Sequence, residues 1–87
     1  MDLKNLNTFI QVAESKSFSR AADKLGYSQP TISFQIKQLE SELDVQLFDR
    51  IGHTISLTEA GKRLLGYAQK ICRLADELIN GEADSGE

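Results

Sequence analysis

The chain has 87 residues, enough for one small domain, and its 40% hydrophobic and 26% charged residues are the balance of a folded chain rather than a disordered one. Its single cysteine, Cys72, excludes an internal disulfide framework and a multi-cysteine zinc site; apolar runs of two or three residues and the polar opening MDLKNLN argue against a membrane span or an export signal, so a reducing cytoplasm is the expected setting. The net charge of −3 is unevenly spread: Asp76, Glu77, Glu82, Asp84 and Glu87 crowd the end, leaving ten bases against eight acids over residues 1–75, which permits nucleic-acid binding without indicating it.

Leu6, Phe9, Ile10 and Ala13 share one helical stripe and predict a helix from about Leu3 to Glu14. Ser15, Lys16 and Ser17 interrupt it and can cap a second helix. Phe18, Ala21, Ala22 and Leu25 repeat the spacing in this shorter helix, which Gly26 stops. Ser28 is a good N-cap and Pro30 falls in the first turn of a third helix, whose apolar face is Ile32, Ile36, Leu39 and Leu43 up to Asp44. In LFDRIGHTISL, Ile55 and Leu57 alternate with Thr54 and Ser56, and Gly52–His53 sits where a turn would join two short strands. Thr58 caps a fourth helix of about twenty residues, with Glu59 in its first turn. Leu64, Ala68, Ile71, Ala75 and Leu78 follow a four-three repeat, flanked by Leu65, Cys72 and Ile79. The polar tail, residues 81–87, is expected to be disordered.

Two helices joined by a short glycine-containing turn form a helix-turn-helix, and residues 18–43 match it. Opposite Ile32, the residues Pro30, Phe34, Lys37 and Ser41 point away from the core, with Gln29, Thr31, Ser33 and Gln38 on the flanks. Amides, hydroxyls and one cation are suitable partners for base edges and phosphates, and a helix N-terminus with its free N–H groups suits a phosphate. Against this stands the plainer reading that such a pattern arises in many helical bundles and that polar surface residues are merely solvated.

The sequence resembles the N-terminal domain of LysR-type transcriptional regulators. FSRAADKLGYSQPTISFQIKQLE at 18–40, LDVQLFDR at 43–50 and LTEAG at 57–61 carry the likeness, which covers roughly residues 2–79. It implies a mostly α fold: a winged helix-turn-helix over residues 1–58, with a three-helix core and a β-hairpin wing, then a linker and dimerisation helix over 59–80. The implied function is sequence-specific binding of double-stranded DNA as a homodimer on an interrupted palindrome, with no cofactor in this fragment. The family's large C-terminal effector domain, and the small-molecule inducer it would bind, are expected to lie outside this chain, whether it is an isolated fragment or a natural short form. The resemblance puts Gln29, Pro30, Thr31, Ser33 and Lys37 at the DNA, with Arg50 at the wing reaching the backbone or minor groove, while Ser28 is a candidate on its own chemistry, a hydroxyl at the helix start that can contact phosphate. Two places depart from the pattern. Phe34 stands where relatives more often carry a polar or basic residue, and His53 and Thr54 replace an arginine-rich wing tip.

Several residues carry alternative readings. Phe34 packs on a neighbour, is simply exposed, or touches a thymine methyl. His53 has no partner histidine or cysteine near it in sequence for a metal and reads as a turn residue that approaches phosphate. Cys72 reads as a small packing residue, with a redox role lacking a resolving thiol. Lys62 and Arg63 are balanced between solvated charge and DNA contact. The seam Leu64, Leu65, Ala68, Ile71, Cys72, Ala75, Leu78 and Ile79 is expected to form the dimer interface, the alternative being that it only closes the monomer. A protein-interaction module is the competing function. An enzyme is the weakest, for want of a phosphate loop, a nucleophile–base pair or a metal cluster.

Overall fold

The computed structural model describes residues 1–81, so the expectation of a disordered tail falls, beyond Gly81, outside the described residues. Each helix begins where a short polar side chain can accept a backbone N–H of the first turn. Asp2, Ser17, Ser28 and Thr58 cap α1 (Leu3–Ser15), α2 (Phe18–Leu25), α3 (Gln29–Leu43) and α4 (Glu59–Asn80), taking the N–H of Lys4, Arg20, Thr31 and Gly61 respectively. All four end on a left-handed residue: Lys16, Gly26, Asp44 and Gly81. Between α3 and α4, β1 (Phe48–Ile51) and β2 (Thr54–Leu57) pair antiparallel, with Phe48 opposite Leu57 and Ile51 opposite Thr54. Gly52 supplies positive φ at the first central position of this two-residue loop, which is what a type II′ turn requires.

The core lies where α1 crosses the other helices. Leu6, Phe9, Ile10 and Val12 of α1 meet Ala21 and Ala22 of α2, Ile32, Ile36 and Leu39 of α3, Leu47 and Phe48 before and in the hairpin, and Ala68 of α4. Ala21 and Ala22 have no bulk to hold α2 off, so the helix-turn-helix closes tightly around them. Phe48 anchors the hairpin, with its ring 5.4 Å from that of Phe9 and 5.8 Å, edge-on, from that of Phe18. Two buried polar side chains of α1 are satisfied across the helix pair: Thr8 donates to the Gln35 Oε1 at 2.6 Å, and Asn5 donates to the Gln38 Oε1 at 3.1 Å. These bonds fix the rotation of α3 about its own axis, and hence which side it turns outward.

The fourth helix extends the molecule to 47 Å along its longest axis. As far as Cys72 it packs on the core. Gly61 and Ala68 are buried, and Leu64, Leu65 and Cys72 pack on the core. Among the described residues no helix is long and apolar enough to cross a membrane.

Candidate nucleic-acid interface

The outward side of α3 is bare. Gln29, Pro30, Phe34, Lys37, Gln38 and Ser41 are exposed, Thr31 and Ser33 half-exposed, and the inward Ile32, Ile36 and Leu39 fully packed. This is the division that the alternation of residue types predicted. The start of the helix is more committed than its sequence suggested. The Ser28 hydroxyl accepts the Thr31 N–H at 3.3 Å and lies 3.0 Å from the Thr31 hydroxyl. Pro30 has no N–H and the Thr31 N–H is taken by the cap, so the Ser28 and Gln29 N–H groups are the backbone donors left at the helix start.

A knot of hydrogen bonds, most of them from side chain to backbone, joins α3 to the wing and α4. The Glu40 carboxylate accepts the Leu47 N–H at 2.8 Å. The Leu47 carbonyl accepts the Thr58 N–H at 3.0 Å. The Thr58 hydroxyl donates to the Gln46 carbonyl at 2.5 Å and accepts the Gly61 N–H at 3.0 Å. Gly61 sits so close that an added Cβ would collide with the Leu47 carbonyl oxygen and lie 2.9 Å from a Leu57 methyl. Glu40, Leu47, Thr58 and Gly61 are the LE, LF and LT-AG letters of the sequence pattern, and here they are structural.

A groove of roughly 620 Å³ runs between α3 and β1, with Ser33, Lys37 and Glu40 on one wall and Asp49 and Arg50 on the other. Arg50 does not reach freely from the wing. Its guanidinium lies over the Phe18 ring, 4.5 Å from the centroid, which holds the cation beside the groove at the start of α2. At the wing tip His53 is exposed, and the Thr54 hydroxyl donates to the Ile51 carbonyl at 2.9 Å, closing the turn. Ile51, which the sequence reading passed over, is 72% exposed there. Lys62 pairs with Glu59 at 3.6 Å on the surface, an exposed pair of little energetic weight.

The eight residues of the expected seam on α4 do not share one exposed face. Ala68 is 0% exposed and packs inside its own monomer, so it offers no surface to a second chain. Leu64, Leu65 and Cys72 are half-buried against the same core, and burial pushes the Cys72 thiol pKa up. The exposed apolar stripe is Tyr67, Ile71, Leu74 and Leu78, with Leu78 85% exposed; Ile79 is exposed too but lies on the side of Cys72 and Ala75, next to Leu3 of α1. Tyr67 and Leu74 were not among the residues of the expected seam. Both stripes repeat at steps of four and three, and the exposed one lies roughly a quarter-turn around the helix from Ala68.

The comparisons with known proteins agree with this geometry. The family model described as the bacterial regulatory helix-turn-helix protein, lysR family, matches residues 3–62. An HTH-type transcriptional regulator of Azotobacter vinelandii is 48% identical over 77 residues, covering 88% of this chain and 54% of that protein. A probable RuBisCO transcriptional regulator of Trichormus variabilis is 49% identical over 82 residues, covering 94% of this chain and 24% of that one. The chain thus spans about half of the first relative and about a quarter of the second. Among solved structures, the DNA-binding domain of BenM in complex with catB site 1 DNA superposes with a TM-score of 0.88 at 37% identity, covering 95% of this chain and 93% of that one. The CbnR DNA-binding domain in complex with DNA gives the same TM-score and identity, covering 95% of each chain. With more than half of its length matched by the family model and a winged helix-turn-helix shared with these domains, the chain belongs to the lysR family of bacterial regulatory helix-turn-helix proteins.

Proposed function

We propose that this chain is the DNA-binding unit of a transcriptional regulator, and that it reads duplex DNA by laying the outward side of α3 in the major groove. The observation that carries the reading is the bare side itself: a helix anchored by Ile32, Ile36 and Leu39, indexed by Thr8 and Asn5, and turned so that Gln29, Pro30, Thr31 and Ser33 meet solvent near its start. Gln29, Thr31 and Ser33 supply the donors and acceptors for base edges, while Lys37 and Arg50, on either side of the groove, supply phosphate contacts. The wing lies on the backbone or minor groove through Arg50, His53 and Thr54. The likeness to domains solved on DNA supports the reading.

The same reading includes a symmetric dimer, because Tyr67, Ile71, Leu74 and Leu78 form an apolar stripe that water does not favour and whose heptad spacing fits a second helix. A two-fold dimer sets two copies of α3 about one DNA turn, or a multiple, apart on an interrupted palindrome. The test is a binding titration over a range of salt on a duplex enriched from a random library, against a scrambled duplex. The expected result is a preference of about 10³-fold or more with a steep salt dependence; equal affinity for the two duplexes overturns the proposal. Sedimentation of the chain at high micromolar concentration is expected to show a dimer that the double variant Leu74→Asp/Leu78→Asp dissociates, and a monomer before substitution removes the dimer from the account.

A further inference from the structure

We infer that Phe34 reads the C5 methyl group of a thymine in the major groove, one in each half-site. The inference rests on the reading of α3 as the recognition helix and names what one position of that helix selects.

The side chain is 65% exposed and lies outside the core cluster. Of the other three phenylalanines, Phe9 and Phe48 are buried and the half-buried Phe18 packs edge-on against Phe48. The exposed apolar residues of α4 form a stripe on a different element. Phe34 is instead surrounded along its own helix by Pro30, Thr31, Lys37 and Gln38, one turn before and after it. A lone apolar residue on a protein surface is ordinary, so exposure alone decides nothing. Its neighbours decide the matter: on the proposed reading Thr31, one turn before it, meets base edges and Lys37, one turn after it, meets a phosphate, so the ring between them enters the groove with α3.

A phenyl ring in that place has a narrow choice. It can neither donate nor accept a hydrogen bond, so against guanine N7 and O6, adenine N6 and N7, or cytosine N4 it strips water from a polar group and returns nothing. It has no charge for a phosphate. The apolar group that the major groove offers is the thymine methyl, and apolar side chains are its partners. The contact selects T against C at that position. It also admits 5-methylcytosine, which carries the same methyl at the same place.

The experiment uses the 87-residue chain and a duplex enriched from a random library. Each thymine of the duplex is replaced in turn by deoxyuridine, which removes the methyl and leaves every hydrogen-bonding group in place. The unsubstituted chain is expected to lose about fourfold in affinity at one thymine per half-site, the worth of one buried methyl. In Phe34→Ala that difference disappears, while the variant unfolds at the same denaturant concentration as the parent, because the ring supports nothing in the core. Three results overturn the inference: selected half-sites without thymine, no deoxyuridine effect in the unsubstituted chain, or an effect that persists in Phe34→Ala. If no duplex is enriched at all, the DNA-binding reading fails and this inference fails with it. If a site is enriched but is indifferent to deoxyuridine, only the Phe34 contact is lost.

Discussion

The knot that joins α3, the hairpin and α4 and the outward side of α3 are built on opposite terms. In the knot nearly every polar group is engaged: Glu40 with Leu47, Thr58 with Gln46 and Gly61, and the Gly61 backbone pressed against the Leu47 carbonyl. On the outward side Gln29, Lys37 and Phe34 are exposed, and the cap at Ser28 and Thr31 is the main internal bond. The first region defines geometry and the second reads with it. Many of the letters by which the family is recognisable in sequence belong to the first, so the signature marks the scaffold more strongly than the site.

Substitutions sharpen that comparison by separating folding from binding. The largest effect is expected for Gly61→Ala, whose methyl meets a backbone oxygen that cannot swing aside. Urea unfolding should show a loss of about 3 kcal/mol or more, and a loss near zero would mean that the junction is loose. Glu40→Ala removes the charge-assisted acceptor of the Leu47 N–H and should cost about 2 kcal/mol by the same measurement, with Glu40→Gln recovering part of it through its remaining oxygen.

Arg50→Ala belongs to the reading surface and should behave differently. Its folding cost should be no more than about 1 kcal/mol, from the lost contact with Phe18. The slope of log affinity against log salt should fall by about one unit. An unchanged slope would remove Arg50 from the DNA contacts. The smallest effect concerns Cys72. Burial raises its thiol pKa, so the reactive thiolate is scarcer in the folded chain at mildly alkaline pH. Iodoacetamide should modify folded protein more slowly than urea-unfolded protein, and equal rates would show that the thiol is not shielded. The raised value also means that this group favours the folded state below its unfolded pKa and ceases to do so as pH climbs through the folded one.

The elements were legible because each is announced locally. Ser28 with Pro30, Gly26, the Ile55–Leu57 alternation and Thr58 all act within a turn of where they stand, and the structure has its helices and hairpin there. The outward residues of α3 were legible for the same reason, since Ile32, Ile36 and Leu39 fix the opposite side. Which apolar residues of α4 stay exposed was not. Its apolar band holds two stripes of the same period, and periodicity cannot say which one the monomer keeps. The core took Ala68 and left Tyr67 and Leu74 outside. The bonds of the knot were not legible either, because the Glu40 carboxylate and the Thr58 hydroxyl meet backbone partners 7 and 12 residues away, beyond the reach of a local pattern. The placement of Arg50 over Phe18 joins residues far apart in the chain, which no local pattern records.

Dimethyl sulfate protection on an enriched duplex tests the central claim most directly, because the reagent reports guanine N7 in the major groove. With α3 lodged in that groove, guanine N7 atoms are protected in two patches about one helical turn, or a multiple, apart. A saturated complex in which every guanine N7 stays fully reactive would contradict the account.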